Sequence, residues 1–340
     1  MTDRGLREIV AAQTRLSDID GQAGRLWYVG YDINDLAGRT SYEEVVHLLH
    51  ELRLPTQTEL DTLTDFMVEE REVSKFLQDL MPTLAQQTSP MSMLRTSVSA
   101  ASAYDPDGWD DSVEADRRKA LRLIAKTPTL LAMYHRMRTG QEIVPPNTKL
   151  PHAANFLHML LGLEPSQEDA EVIDTTFVLY ADHTMNASTF TARIVASTLA
   201  DMFSAITAAI AALKGPLHGG ANEESMKMLE EVGSPERAEA YVRDRLERHQ
   251  KVMGFGHAVY KTMDPRAVVL KRLSKETGER HGDTSWYEIS EAIERTVAER
   301  QRRTLGPGRR VGAQLAHREG ALVQESQNLG ADETGGARDE

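Results

Sequence analysis

Three histidines stand in surroundings that leave an imidazole open to a ligand. His218 lies in GPLHGGAN, with Gly215, Gly219 and Gly220 close by. His257 lies in GFGHAV, directly after Gly256 and close to Gly254. His183 lies in YADHTMNAST, with Asp182 before it and Asn186 after it. Glycine permits tight turns and close approach of backbone. A helix end explains Gly215, but not Gly219 and Gly220 as well. Arg266, nine residues past His257 in DPRA, adds a guanidinium suited to bidentate carboxylate binding. Imidazole donors beside such an arginine are the parts needed to polarise a carbonyl and hold carboxylates. Among the others, His47, His50, His135, His158 and His281 read as ordinary surface or core residues.

Other chemistries fit less well. No HExxH pair occurs, and no GK[ST] step of a phosphate-binding loop. GFGHAV lacks the third glycine of a dinucleotide fingerprint. The chain has no cysteine, which excludes disulfides, thiolate nucleophiles and cysteine-bound zinc. It also suits a reducing compartment, and the expected location is the cytoplasm. The net charge of -13 argues against a nucleic-acid partner, whose footprint is basic. An anionic substrate must therefore be received by local Arg, Lys or His.

The elements that must position these residues read as helices. A short hairpin is expected around Asp20, Gly21 and Gly24, followed by LWYV. SYEEVVHLLHEL opens with a capping box, Ser41 to Glu44, and keeps helical apolar spacing. TQTELDTLTDFMVEE begins a second helix, and a long one over 111–140 is expected to break near Pro128. A further helix starts at Pro165 and Ser166. From Ser188 to Leu213 small apolar residues dominate, with only Arg193 and Asp201 charged. This predicts one long helix, buried in a core or at a subunit interface. Its longest apolar run, Met202 to Leu213, is shorter than the roughly 20 residues of a membrane span. No membrane association is expected, and the fold class is all-α with a short N-terminal β-hairpin.

Four stretches together, DIDGQAGRLWYVGYDI, YADHTMNASTFTAR, GPLHGGANEE and GFGHAVYKTMDPRA, closely resemble the citrate synthase family. The resemblance runs from about Leu16 to about Arg300. It implies a multi-helical two-domain fold, a homodimer, and an active site that closes on oxaloacetate before acetyl-CoA reacts. The large helical domain would span 1–217 and a small mobile domain 218–300, with an atypical tail at 301–340. His218 would donate to the thioester carbonyl and stabilise the enol or enolate. His257 would polarise the oxaloacetate ketone, while His183 and Arg266 would hold oxaloacetate. Gly254, Gly256 and Lys261 would lie against coenzyme A, which enters as the thioester substrate. The implied reaction is a Claisen-type condensation to citryl-CoA and then hydrolysis, with no metal or redox cofactor. A 2-methylcitrate synthase using propionyl-CoA is the close alternative.

One departure limits the resemblance. The family places a proton-abstracting aspartate about fifty residues after the second glycine-flanked histidine. No aspartate lies between Asp283 and Asp332. The last forty residues hold seven Gly and six Arg and no aromatic residue, a composition poorly suited to a core. An out-of-frame reading of a GC-rich gene would produce such a tail. A chain that binds ligands or dimerises without catalysing is the alternative from another class. Glu288, Glu291 and Glu319 are the substitute bases that the sequence offers, none of them convincing.

Overall fold

The expected N-terminal hairpin is present and gains a third strand. The computed structural model describes residues 12–305, except 217, 249, 256–259 and 261, and only the backbone at 221, 222 and 301–305. Strand β1 (Ser17–Asp20) pairs antiparallel with β2 (Arg25–Tyr28), so that Ser17 faces Tyr28, and β2 pairs with β3 (Tyr31–Asp32). The Asp20 carboxylate accepts from the backbone N–H of Gln22 and Ala23 at 2.9 and 2.8 Å. Such a local bond is what makes aspartate a turn former.

Beyond the sheet the described elements are helical, as the all-α reading expects. They are α1 (Ile33–Leu36), α2 (Tyr42–Glu51), α3 (Gln57–Glu69), α4 (Lys75–Gln87), α5 (Pro90–Ala101), α6 (Val113–Arg138), α7 (His152–Leu161), α8 (Gln167–Tyr180), α9 (Ala187–Ala196), α10 (Met202–Leu213), α11 (Gly220–Val232), α12 (Ala238–Glu247), α13 (Pro265–His281) and α14 (Ser285–Leu305). The Ser41–Glu44 capping box closes both ways at the start of α2, and Thr56–Glu59 repeats it at α3. Ser166 caps α8 as its position suggests. No described helix is long and apolar enough to cross a membrane.

Two helix boundaries differ from expectation. Helix α6 continues through Pro128. A proline inside a helix costs about 3 kcal/mol, and tertiary anchoring on both sides offsets it. Leu130, Met133 and Tyr134 join one core cluster C-terminal to the proline. Before it, Arg122 forks onto Asp105, and directly after it the Thr129 hydroxyl donates to Arg71 O at 2.8 Å. The stretch 188–213 is two helices, not one. The Ser197 and Thr198 hydroxyls donate back to the carbonyls of Ile194 and Val195, Leu199 takes φ 63°, and Asp201 then accepts from Ser204 N at 3.0 Å. Short polar side chains here offer the backbone an alternative to the helix, and Asp201 starts the next one as an N-cap.

The cores explain how these elements carry the site. One gathers Leu26 and Tyr28 of β2, Ile33, Leu48, Leu179 of α8 and Leu270 of α13. A second joins Leu229 of α11, Val242 of α12 and Ile293 of α14. A fully buried leucine contributes about 1.5–3 kcal/mol, so each group holds its helices firmly. The connections between them bear the residues of interest. His218 lies between α10 and α11, His183 follows α8, and Asp264 opens α13.

Candidate active site

The short link from α10 to α11 folds back on itself and presents His218. Its backbone bonds run from His218 N to Gly215 O at 2.9 Å, Gly219 N to Leu213 O at 2.9 Å, and Gly220 N to Gly215 O at 3.3 Å. A Cβ on Gly219 would lie 2.6 Å from Leu213 O and 2.7 Å from the Leu213 side chain. The close approach signalled by GPLHGGAN is therefore, at Gly219, an approach of the chain to its own helix end. That turn is what seats the imidazole.

The His218 ring is fixed from the start of α9. Ser188 N donates to His218 Nε2 at 3.2 Å, and Ser188 Oγ lies 2.9 Å from the same nitrogen. A backbone N–H only donates, so Nε2 is the unprotonated nitrogen and Nδ1 carries the hydrogen. Asn186 supports this arrangement. The one Ser188 hydroxyl hydrogen is shared between His218 Nε2 and Asn186 Oδ1, 2.9 and 2.7 Å away, and Oδ1 also accepts from Thr189 N at 2.9 Å, capping α9. Burial pushes the His218 pKa down from the ordinary 6.5, so the neutral form prevails at neutral pH. The unfolded chain takes up this proton first. The stability tied to neutral His218 is thus complete above pH 6.5 and declines as the pH falls below it. Nδ1–H makes no hydrogen bond among the described residues and is left to meet a ligand.

His183 sits in a segment clamped by the sheet. Tyr28 Oη donates to Leu179 O at 3.1 Å and accepts from Asp182 N at 3.2 Å. The Ser17 hydroxyl donates to Asp182 Oδ2 and accepts from Thr184 N at 2.9 Å. Thr184 takes φ 58°, which turns the chain directly after His183. His183 Nε2 lies 3.3 Å from Tyr260 Oη, and the two rings meet edge to face. Burial and nearby Asp264 raise the Tyr260 pKa, so its hydroxyl keeps its hydrogen.

Arg266 is buried on the first turn of α13, paired to the residue that caps the helix. Its Nε and Nη2 donate to Asp264 Oδ1 and Oδ2 at 3.1 and 2.8 Å, and its own backbone N–H also donates to Oδ1. The side chains are 7% and 1% exposed. The guanidinium carbon stands 5.5 Å from the centre of the Tyr180 ring. A guanidinium has two bidentate edges. Asp264 takes the Nε/Nη2 edge, and the Nη1/Nη2 edge has no partner among the described residues. That edge suits a substrate carboxylate.

Of the residues singled out by sequence, His183, His218 and Arg266 lie on these linked segments. Gly254 is described and buried. His257, Gly256 and Lys261 lie outside the described residues, as does Glu319. The other two substitute bases are engaged elsewhere. Glu288 accepts from Thr284 Oγ1 at 2.7 Å, and Glu291 pairs with Lys271. Three of the histidines read as ordinary have partners of their own: His47 and His158 bond to the nearby carbonyls of Arg53 and Leu163, and His281 to Asp169 of α8. Sequence reasoning missed Ser188, Tyr260 and Asp264. Asp264 carried a signal, since Asp before Pro at a helix start is an N-cap pattern. A cleft of about 450 Å³ between α2, α3 and α6 is lined by none of the site residues.

The family model described as citrate synthase, C-terminal domain, matches residues 5–311. The citrate synthase of Haloferax volcanii is 48% identical over 301 residues, which are 87% of this chain and 79% of that one. The crystal structure of citrate synthase from Pyrobaculum aerophilum superimposes with a TM-score of 0.86 at 38% identity, covering 95% of this chain and 82% of that chain. A Thermoplasma acidophilum citrate synthase, solved as a ternary complex with carboxymethyl coenzyme A and oxaloacetate, gives a TM-score of 0.86 at 28% identity, over 94% and 84% of the two chains.

Proposed function

The chain belongs to the citrate synthase family, and from that premise we propose a role for each described residue of the site. The family reaction is the condensation of acetyl-CoA with oxaloacetate to citrate. The observation that carries the reading is the tautomer of His218. A thioester methyl is a weak carbon acid, and removing its proton requires a donor already aimed at the oxygen where charge develops. His218 Nδ1–H is that donor, held by Ser188 and kept neutral by burial. A neutral imidazole donates to an enolate oxygen without adding a cation that must later be neutralised.

Arg266 takes one oxaloacetate carboxylate on its Nη1/Nη2 edge, with Asp264 orienting the guanidinium from the other side. His183, steadied by Tyr260, donates to oxaloacetate beside it. His257 polarises the ketone, and Gly254, Gly256 and Lys261 meet coenzyme A. These last roles rest on the motif GFGHAVYKTMDPRA. A small mobile domain within 218–300 is supported by the separate core of α11, α12 and α14, while α13 packs with β2 and α8. Closure of that body over the site excludes water from the enolate.

The reading carries a restriction. The family's base is an aspartate, and positions 284–331 supply none. The proposed site is therefore an electrophilic half without the aspartate that the family uses as base. A homodimer is the proposed assembly. No α9 residue is buried, and Ile194 and Leu199 are 52% and 92% exposed, as expected of an apolar surface awaiting a partner. The cytoplasm suits a chain without cysteine. The chemistry needs no metal or redox cofactor.

Calorimetric titration of oxaloacetate into the purified chain tests the pocket. Saturable binding at one site per chain is expected, and its absence would overturn the reading. Propionyl-CoA is the runner-up acyl donor, since proteins named 2-methylcitrate synthase are also relatives. One methylene in an apolar pocket discriminates only about 10- to 200-fold, so the two thioesters are best compared side by side.

A further inference from the structure

We propose that the β1–β2 hairpin is a brace that sets the separation of the two oxaloacetate-binding segments, with Ser17 and Gly24 as positioning residues. The inference rests on the oxaloacetate reading of the site and adds to it residues that touch no substrate.

The two ends of the hairpin grip different segments. At its open end Ser17 pairs with Tyr28, and both side chains hold the stretch that carries His183. The Ser17 hydroxyl bridges Asp182 Oδ2 and Thr184 N, while Tyr28 Oη bridges Leu179 O and Asp182 N. Ser17 and Tyr28 are 8% and 0% exposed, so these bonds are shielded from water. At the turn end, Gly24 abuts the stretch that leads into Asp264 and Arg266. A Cβ there would lie 2.5 Å from Thr262 Oγ1 and 2.7 Å from Met263 O. Thr262 Oγ1 is itself buried without a hydrogen-bond partner among the described residues, so the contact is one of packing.

Gly24 meets two demands at once. Its φ of 68° closes the turn, with Gly24 N donating to Asp20 O at 2.8 Å. Its lack of a side chain lets the turn press on Thr262 and Met263. Gly30, in the neighbouring turn, has φ 88°, and a Cβ placed there would meet no described atom within 4 Å. The same substitution at the two glycines therefore imposes a similar backbone penalty, but only Gly24→Ala pushes on the Arg266 segment.

The test compares oxaloacetate binding by calorimetry in the full chain, Gly24→Ala, Gly30→Ala and Ser17→Ala, with thermal unfolding of each. Gly24→Ala is expected to weaken binding about tenfold or more, because sub-ångström to 1 Å displacements of a binding group are costly. Ser17→Ala, which adds no bulk and stands in if Gly24→Ala fails to fold, is expected to weaken it about fivefold. Gly30→Ala is expected to stay within about twofold, because a Cβ there meets no described atom within 4 Å, while still losing stability through its positive φ. Equal binding in all four proteins overturns the brace and leaves the oxaloacetate reading standing. The brace is equally overturned if the two glycine variants lose binding in parallel. Absence of binding in the unaltered chain overturns the oxaloacetate reading, and the brace with it.

Discussion

Replacing residues 301–340 with the matching C-terminal segment of the Haloferax volcanii relative raises citrate formation about 10²- to 10⁴-fold over the chain as it stands, the range that a positioned general base contributes. The family resemblance places a proton-abstracting aspartate about fifty residues after His257, and the chain has no aspartate between Asp283 and Asp332. Enolate formation needs a donor at the thioester oxygen and a base at the methyl group together. On the proposed reading His218 is the donor, and its ring is held from α9 and its cap, through Ser188 and Asn186, and not from the C-terminal segment. The grafted base thus meets a site already arranged for it. Coenzyme A release, followed with a thiol reagent, measures the gain. Equal rates before and after grafting would show that another residue of this chain removes the proton.

Arg266→Leu is the second large effect, on stability and binding at once. It leaves Asp264, 1% exposed, without its counter-charge, and stripping one partner from a buried pair costs about 3–5 kcal/mol. It also removes the edge proposed to receive oxaloacetate. The two losses separate in the double variant Asp264→Asn/Arg266→Leu, where no buried charge is orphaned. That protein is expected to regain much of the stability in urea unfolding yet bind no oxaloacetate in calorimetry. Oxaloacetate binding by the double variant would remove Arg266 from the substrate site.

The residues of the proposed site that stood out in sequence were those with unusual neighbours. His218 stood out through the glycines of GPLHGGAN, and Arg266 as a guanidinium nine residues past His257. The reason for those glycines was less legible. Gly219 makes room for Leu213, a contact created by a turn that no local pattern announces. Ser188 was invisible for a similar reason. It lies 30 residues before His218, and only the reversal between α9 and α10 brings the two together. That reversal was itself obscured by a uniform run of small apolar residues, in which Asp201 was read as an isolated charge and not as a cap. Pro128 misled in the opposite direction, since its local cost is real but smaller than the packing on either side of it. The all-helical fold was legible because caps such as Ser41–Glu44 and apolar spacing agree.

The proposed chemistry depends most on the hydrogen of His218. Nitrogen-15 spectra of the histidine side chains, recorded across pH and assigned with a His218→Gln variant, observe it directly. The neutral Nδ1–H tautomer is expected at pH 7, with a second proton taken up only below the ordinary 6.5. An Nε2–H tautomer, or an imidazolium at pH 7, would contradict the role given to His218.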